Sequence, residues 1–426
     1  MLNILHLTPI YYPARGGSQA HIGHLSEYLV RQGHQVTILT TNVTNAQGLR
    51  IPAQEPSQLS HEEWIGGVRV LRFPMRYWSP AQYSVRILHR LLWLCQQVSF
   101  VPLWLLYRFG RILPNAPSLY EWLNKTQESF DIVGATHLPF DGLIAAGQAF
   151  AKRRNIPFII YPFTHFGVGE TPGSDPESRF YTMRHQISLA IQSDALWAET
   201  QFEANYYQNH GMDAHKITVG GSGIDPDDLH GGDADRFFRQ YPMQTPFVLY
   251  LGALARSKGI IQTIDAVRLL WKQGAEVELV VAGAMTDEFK IYWKGLPESD
   301  QARVNMLGYV SNEMRRDLLA ACAVFCMPSK MDSFGIAYVE AWYYQKPVIA
   351  ADSWGVRELV RDGETGLLVP HGDVSTTAAT IQRLLSDPVL SSKLGLAGHR
   401  LAVDEHTWVN KCYIADDLYS CLTVAR

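Results

Sequence analysis

Cysteine is scarce, neither charge dominates, and no long uncharged apolar run occurs; each shortage removes a class of protein. The five cysteines (Cys95, Cys322, Cys326, Cys412 and Cys421) are odd in number and form no C-x-x-C pair. A disulfide framework is therefore excluded, and the thiols read as buried groups in a reducing compartment. A net charge of −4 and a pI near 6.4 carry no polyelectrolyte signature, so no nucleic-acid partner is expected. The most apolar segment, 87–111, is interrupted by Arg90, Gln96, Gln97 and Pro102. It falls short of the ~18 uninterrupted apolar residues that a membrane span needs. The opening MLNILHLTPIYYPARGGS lacks a basic n-region and a cleavage site. It is expected to be a strand running into a turn, not a signal peptide, in a cytoplasmic protein.

What is present is a repeated strand–helix rhythm. Apolar strands are expected at 3–8, 35–40, 68–73, 132–135 and 158–161, with helices at 18–31 and 142–154. The rhythm pauses in the polar, Gly- and Pro-bearing stretch DPDDLHGGDADRFFRQYPM, then resumes at 247–251, 259–273, 277–282 and 304–307. This predicts an α/β chain of two doubly wound, Rossmann-like domains with a ligand cleft between them. The expected boundaries are a first domain 1–225, a linker 226–243, a second domain 244–402 and a terminal helix 403–426. Within the linker, Asp233 and Asp235 read as solvated acids, and no metal site is expected.

Residues 328–370, PSKMDSFGIAYVEAWYYQKPVIAADSWGVRELVRDGETGLLVP, concentrate the chemistry. An apolar run ends at Pro328, a loop delivers Asp332 and Ser333, and a helix is expected to open at Phe334-Gly335 with Ser333 as its N-cap. Gly335 admits a ligand close to the backbone, and the free N–H groups and dipole of the helix start suit a phosphate. Glu340 lies about one turn beyond Ile336, near those amides, where ribose hydroxyls need an acceptor. A glycosidase pair is the rival reading. A helical 332–340 would part the two acids by about 12 Å, against roughly 5–9.5 Å for hydrolases, so the spacing disfavours it.

The stretch resembles the donor-binding signature of the family-4 retaining glycosyltransferases, P-S-x-x-[ED]-x-F-G-x-x-x-x-E-A followed by a G-x-P-V-[IV]-A strand. Asp332 stands for the commoner Glu, Gln345-Lys346 for the usual Gly before Pro347, and Trp354 for a Gly. The resemblance implies the GT-B fold, with the two domains facing across a cleft and the last helix crossing back to the first. It also implies transfer of a sugar from a nucleotide diphosphate-sugar to a glycan or lipid-linked acceptor in cell-surface polysaccharide or glycolipid synthesis. Neither cofactor nor metal is expected.

Further positions take roles from the same resemblance. LGALARSKG (251–259) is similar to the family's G-R-L-x-x-x-K-G, which gives Lys258 to the diphosphate. Ala253 occupies the usual Arg position, and Arg256 is the candidate substitute. Gly16 and Gly17 form a glycine turn that is either a plain tight turn or, by position, a diphosphate contact. His137 matches the family's H-x-P histidine near the transferred sugar, and Thr164-His165 resembles a second family loop less specifically. The expected catalytic set is His137, Asp332 and Lys258. Donor binding falls to Gly16, Gly17, Arg256, Lys258, Ser333, Phe334, Gly335, Ile336 and Glu340. Segment 87–111, flanked by Arg86, Arg90, Arg108 and Arg111, reads either as a core helix pair or as a membrane-surface element at the inner face of the cytoplasmic membrane. The alternatives in function are a sugar-nucleotide epimerase or phosphorylase on the same scaffold, and a non-catalytic nucleotide-sugar binder.

Overall fold

The computed structural model describes residues 1–14, 16–52, 57–77 and 81–424; Arg15 and the side chain of Arg86 lie outside the described residues. The chain forms two compact units. One comprises Met1–Thr164, Pro176–Gly221 and Lys411–Arg426, the other His165–Asp175 and Ser222–Asn410.

The first unit is built on an eight-stranded sheet. Its strands are β1 (Asn3–Leu7), β2 (Gln35–Thr41), β3 (Glu62–Ile65), β4 (Val68–Phe73), β5 (Ile132–Thr136), β6 (Phe158–Tyr161), β7 (Ala195–Ala198) and β8 (Ile217–Val219). Their order is β3-β4-β2-β1-β5-β6-β7-β8, parallel throughout except for β3 against β4. Strands such as β5 and β6 are buried along their whole length, which is why they read as unbroken apolar runs instead of alternating ones. Sequential strands part company at β1, which lies between β2 and β5. Ligands of such sheets bind at the carboxyl ends beside this reversal.

Helix Trp408–Val424 closes the first unit. Its Tyr419 hydroxyl lies 2.7 Å from His6 Nε2 and 2.9 Å from the Tyr161 hydroxyl, and Tyr28 donates to Asp416 at 2.5 Å. Segment 87–111 folds as helices Ala81–Gln97 and Leu103–Gly110, separated at Pro102. Their inner faces share a small core of Leu92, Leu106 and Met183. Their outer faces leave Leu91 50%, Leu94 53% and Trp104 65% exposed, and Phe100 in the turn between them is 86% exposed. Among the described residues, no helix is long and apolar enough to cross a membrane.

The second unit has six parallel strands: β9 (Phe247–Leu251), β10 (Glu278–Ala282), β11 (Val304–Gly308), β12 (Val324–Met327), β13 (Val348–Ala351) and β14 (Leu367–Val369). The order is β11-β10-β9-β12-β13-β14, so the reversal falls at β9. The polar stretch 226–243, expected as a linker, instead carries helices Pro226–Leu229 and Ala234–Gln240 inside this unit. The acids that suggested a linker are helix caps: Asp225 accepts from the Asp227 N–H and Asp233 from the Arg236 N–H. Fully buried Phe237 and the Arg236–Asp317 pair, 2.6 Å apart, fasten the second of these helices to the core.

Candidate functional site

The second unit's site begins where the loops after β9 and β12 meet. Gly259 adopts φ 83°, and a Cβ there would sit 2.4 Å from the Pro328 carbonyl oxygen, so only glycine permits this approach. The approach carries Lys258, in the 3-10 turn Arg256–Lys258, onto the next loop. Its ammonium donates to the Met331 carbonyl at 2.6 Å and to Asp332 Oδ2 at 3.0 Å. Helix Ile336–Tyr343 starts immediately beyond. Its N-cap is Gly335 at φ 103°, and no side chain caps it. Ser333 is therefore not the cap, and the cap lies two residues later than expected, because the left-handed glycine makes the turn into the helix. The first-turn amides keep no side-chain acceptor and present a positive end beside Lys258 and Asp332.

Phe334 is buried with its ring edge-on to His406, and Ile336 is half-buried. Glu340, one turn into the helix, has its side chain 13% exposed and pairs with Arg315 of helix Asn312–Ala321. Burial pushes the Glu340 carboxyl above the ordinary carboxylate range; the Arg315 guanidinium pulls it back and Asp228 pushes it up again. Lys258, Asp332, Ser333 and the helix start thus share one corner. Arg256 turns its guanidinium to Glu288 at 2.8 Å and is 59% exposed.

Three residues absent from the expected set complete this corner. His165 comes from the segment His165–Asp175, hydrogen-bonds the Met331 backbone and lies in the fields of Lys258 and Asp332. Burial first, then Lys258, lowers its pKa to about 4. Trp354 holds the same segment: its backbone N–H donates to the Gly167 carbonyl at 3.1 Å and its indole N–H to Gly169 at 2.9 Å. The third is Arg315. The departure from the family's glycine at Trp354 and the loop resemblance at Thr164-His165 were the visible signals; an arginine on a distant helix gave none.

In the first unit, Gly16 precedes helix Gly17–Arg31, which also has no side-chain cap. The Ser18 hydroxyl in its first turn lies 2.6 Å from His137 Nε2, while His137 Nδ1 lies 2.7 Å from the Thr136 hydroxyl. His137 holds φ 70°, a backbone region that non-glycine residues occupy at a cost and that gathers at functional sites. Gly16, Gly17 and His137 therefore meet at the carboxyl ends of β1 and β5, the reversal point of this sheet. Nearby, His21 is fully buried among Tyr161, Phe163 and Trp197, with Nδ1 3.4 Å from Glu199; burial keeps it neutral, its pKa near 3.

Residues 15–228 match the family model described as Glycosyltransferase Family 4, and residues 233–400 match Glycosyl transferases group 1. The chain is 27% identical to D-inositol 3-phosphate glycosyltransferase of Xylanimonas cellulosilytica, over 100% of its own length and 97% of that protein. A shorter stretch is 32% identical to alpha-D-kanosaminyltransferase of Streptomyces kanamyceticus, covering 35% of this chain and 39% of that one. Among solved structures, sucrose-phosphate synthase from Thermosynechococcus elongatus superposes with a TM-score of 0.74 at 20% identity, covering 100% of both chains. Anabaena HepE in complex with UDP-glucose gives 0.68 at 19% identity, covering 99% of this chain and 100% of that one. The structural likenesses show the fold, GT-B.

Proposed function

The chain belongs to glycosyltransferase family 4, and from that premise we propose that it is a retaining enzyme acting on a nucleotide diphosphate-sugar. The acceptor is a glycan or a lipid-linked acceptor, in cell-surface polysaccharide or glycolipid synthesis. The observation that carries the donor assignment is the Lys258–Asp332 contact beside the uncapped helix Ile336–Tyr343. An ammonium and a row of backbone amides form a cradle for a diphosphate. The UDP-glucose held by the Anabaena neighbour supports a donor of this class.

In this reading Glu340 accepts the ribose hydroxyls and Asp332 contacts the donor sugar. Lys258, Arg256, Ser333 and the amides around Gly335 and Gly17 bind the diphosphate, and His137 lies by the transferred sugar. The bond between the anomeric carbon and the diphosphate oxygen breaks, and the acceptor oxygen bonds to the same face. The acceptor's proton passes to the departing phosphate oxygen. Charge grows on that leaving group, so Lys258 and the helix amides stabilise the transition state more than the ground state, and no metal is needed for that work.

Segment 87–111 supports an acceptor presented at a membrane surface. Its exposed apolar face bears Arg90, Arg108 and Arg111, all exposed, and residues 64–120 contain no Asp or Glu. Apolar and aromatic side chains together with exposed arginines suit the headgroup boundary of an anionic leaflet. A thermal-shift panel of nucleotide-sugars tests the donor assignment, since a ligand of the folded state raises its melting temperature. A stabilising nucleotide-sugar that also releases its nucleoside diphosphate slowly without acceptor is the expected result. If no nucleotide-sugar stabilises the protein, the proposal fails.

A further inference from the structure

We propose that Arg315 is a positioning residue that commits one oxygen of Glu340 to its guanidinium and leaves the other turned to the ribose of the nucleotide. The inference rests on the ribose role of Glu340 given above. Arg315 reaches across from helix Asn312–Ala321, whose start is fixed by the Ser311 hydroxyl accepting from the Met314 N–H at 3.1 Å. Its Nη1 donates to Glu340 Oε1, and the two side chains are 25% and 13% exposed. Among the described residues, no hydrogen bond to the second oxygen, Oε2, accompanies this contact, and a carboxylate retains lone pairs for two or three more donors.

Arg315 also keeps its own Nε buried without an acceptor. Buried donors are nearly always paired, so this N–H marks a place where a ligand oxygen is wanted beside the carboxylate. The charged groups around Glu340 are few. Arg315 faces it from one helix and Asp228 acts on it from helix Pro226–Leu229. Helix Pro388–Glu405, packed against the Glu340 helix, brings His399, whose ring nitrogen bonds the Tyr343 carbonyl at 2.9 Å. Arg315 is thus the group that opposes both the burial and the negative field of Asp228, each of which favours a protonated, neutral Glu340.

A plain interhelical tie would use the same contact, and pH separates the two. Without Arg315, the carboxyl takes up a proton as pH falls and stops accepting both ribose hydroxyls, so nucleotide binding weakens at low pH and recovers at high pH. Titration calorimetry with UDP, ADP and GDP on wild type, Arg315→Met, Arg315→Gln and Arg315→Lys reads this as the variant-to-wild-type ratio of Kd. That ratio cancels titration of the nucleotide itself. For Arg315→Met and Arg315→Gln the ratio should be about tenfold near pH 6 and approach one near pH 9, while Arg315→Lys stays close to one. A ratio independent of pH, or tighter binding, would overturn the proposal. Glu340→Gln is the separating control. If it leaves affinity unchanged, or if wild type binds none of the three nucleotides, the donor reading itself is wrong; if it weakens binding while Arg315→Met does not, only the positioning role is lost.

Discussion

Replacing Lys258 by alanine probes the proposed chemistry most directly. In the folded protein the ammonium sits 3.0 Å from Asp332 and 2.6 Å from the Met331 carbonyl, with 28% of its side chain exposed. Its removal has two separable effects. Asp332, 16% exposed, loses its cation, which costs about 1–3 kcal/mol of stability in a partly screened pair. That loss should lower the melting temperature without unfolding the protein. The catalytic effect is larger. A preorganised donor aimed at developing charge is worth about 3–4 kcal/mol, or roughly 10²–10³ in kcat. The helix amides proposed for the diphosphate remain, so donor affinity should change by less than about tenfold. The assay is release of nucleoside diphosphate from the best nucleotide-sugar at saturating and sub-saturating concentrations. Circular dichroism confirms the fold. A rise in KM with kcat unchanged would refute the reasoning, because it would mean that Lys258 binds ground state and transition state equally.

Turnover should survive EDTA, and loss of activity restored by Mg²⁺ or Mn²⁺ would contradict the assigned work of Lys258. The protein should co-sediment with anionic vesicles at low salt and release at high salt, with Trp104→Ser weakening the association; indifference to vesicles would leave a soluble acceptor. Glu203 gives a pH signature of stability: burial lifts its carboxyl to about 7 from 4.5, while its oxygens accept the N–H groups of Thr164 and Glu199. The folded state therefore keeps a proton that the unfolded chain releases, so this contribution is whole below pH 4.5 and is lost as pH rises through 7, amounting to roughly 3 kcal/mol. Glu203→Gln should have a flatter melting profile than wild type between about pH 5 and 8; parallel profiles would remove Glu203 as the cause.

Much of the fold was legible because its strands are buried on both faces, so runs such as Phe247–Leu251 stand out from any helix. The short strands Ala195–Ala198, Ile217–Val219 and Leu367–Val369 did not stand out, since three or four residues carry little pattern. The stretch 328–370 stood out as the candidate donor corner because glycine, serine and carboxylates recur there at fixed offsets. The cap was misplaced there: Ser333 satisfies the usual preference, but the backbone turn at Gly335 decides where the helix begins. Asp225 and Asp233 misled in the opposite sense, their composition resembling a linker while their side chains cap helices. Arg315 was illegible for a different reason. Its partner is 25 residues away on another helix, and no local pattern encodes that meeting.

The way His165–Asp175 leaves one unit to join the other constrains how this architecture can be recombined. A crossover at Gly221/Ser222 divides the chain near the boundary of the two units, but it does not exchange a whole second unit between two relatives. It would leave His165 and the carbonyls of Gly167 and Gly169 with the old parent while Trp354 arrived from the new one. A parent with glycine at position 354 supplies no indole for Gly169. The second unit is thus encoded as two non-contiguous pieces, and chimaeras should transplant 165–175 together with 222–410.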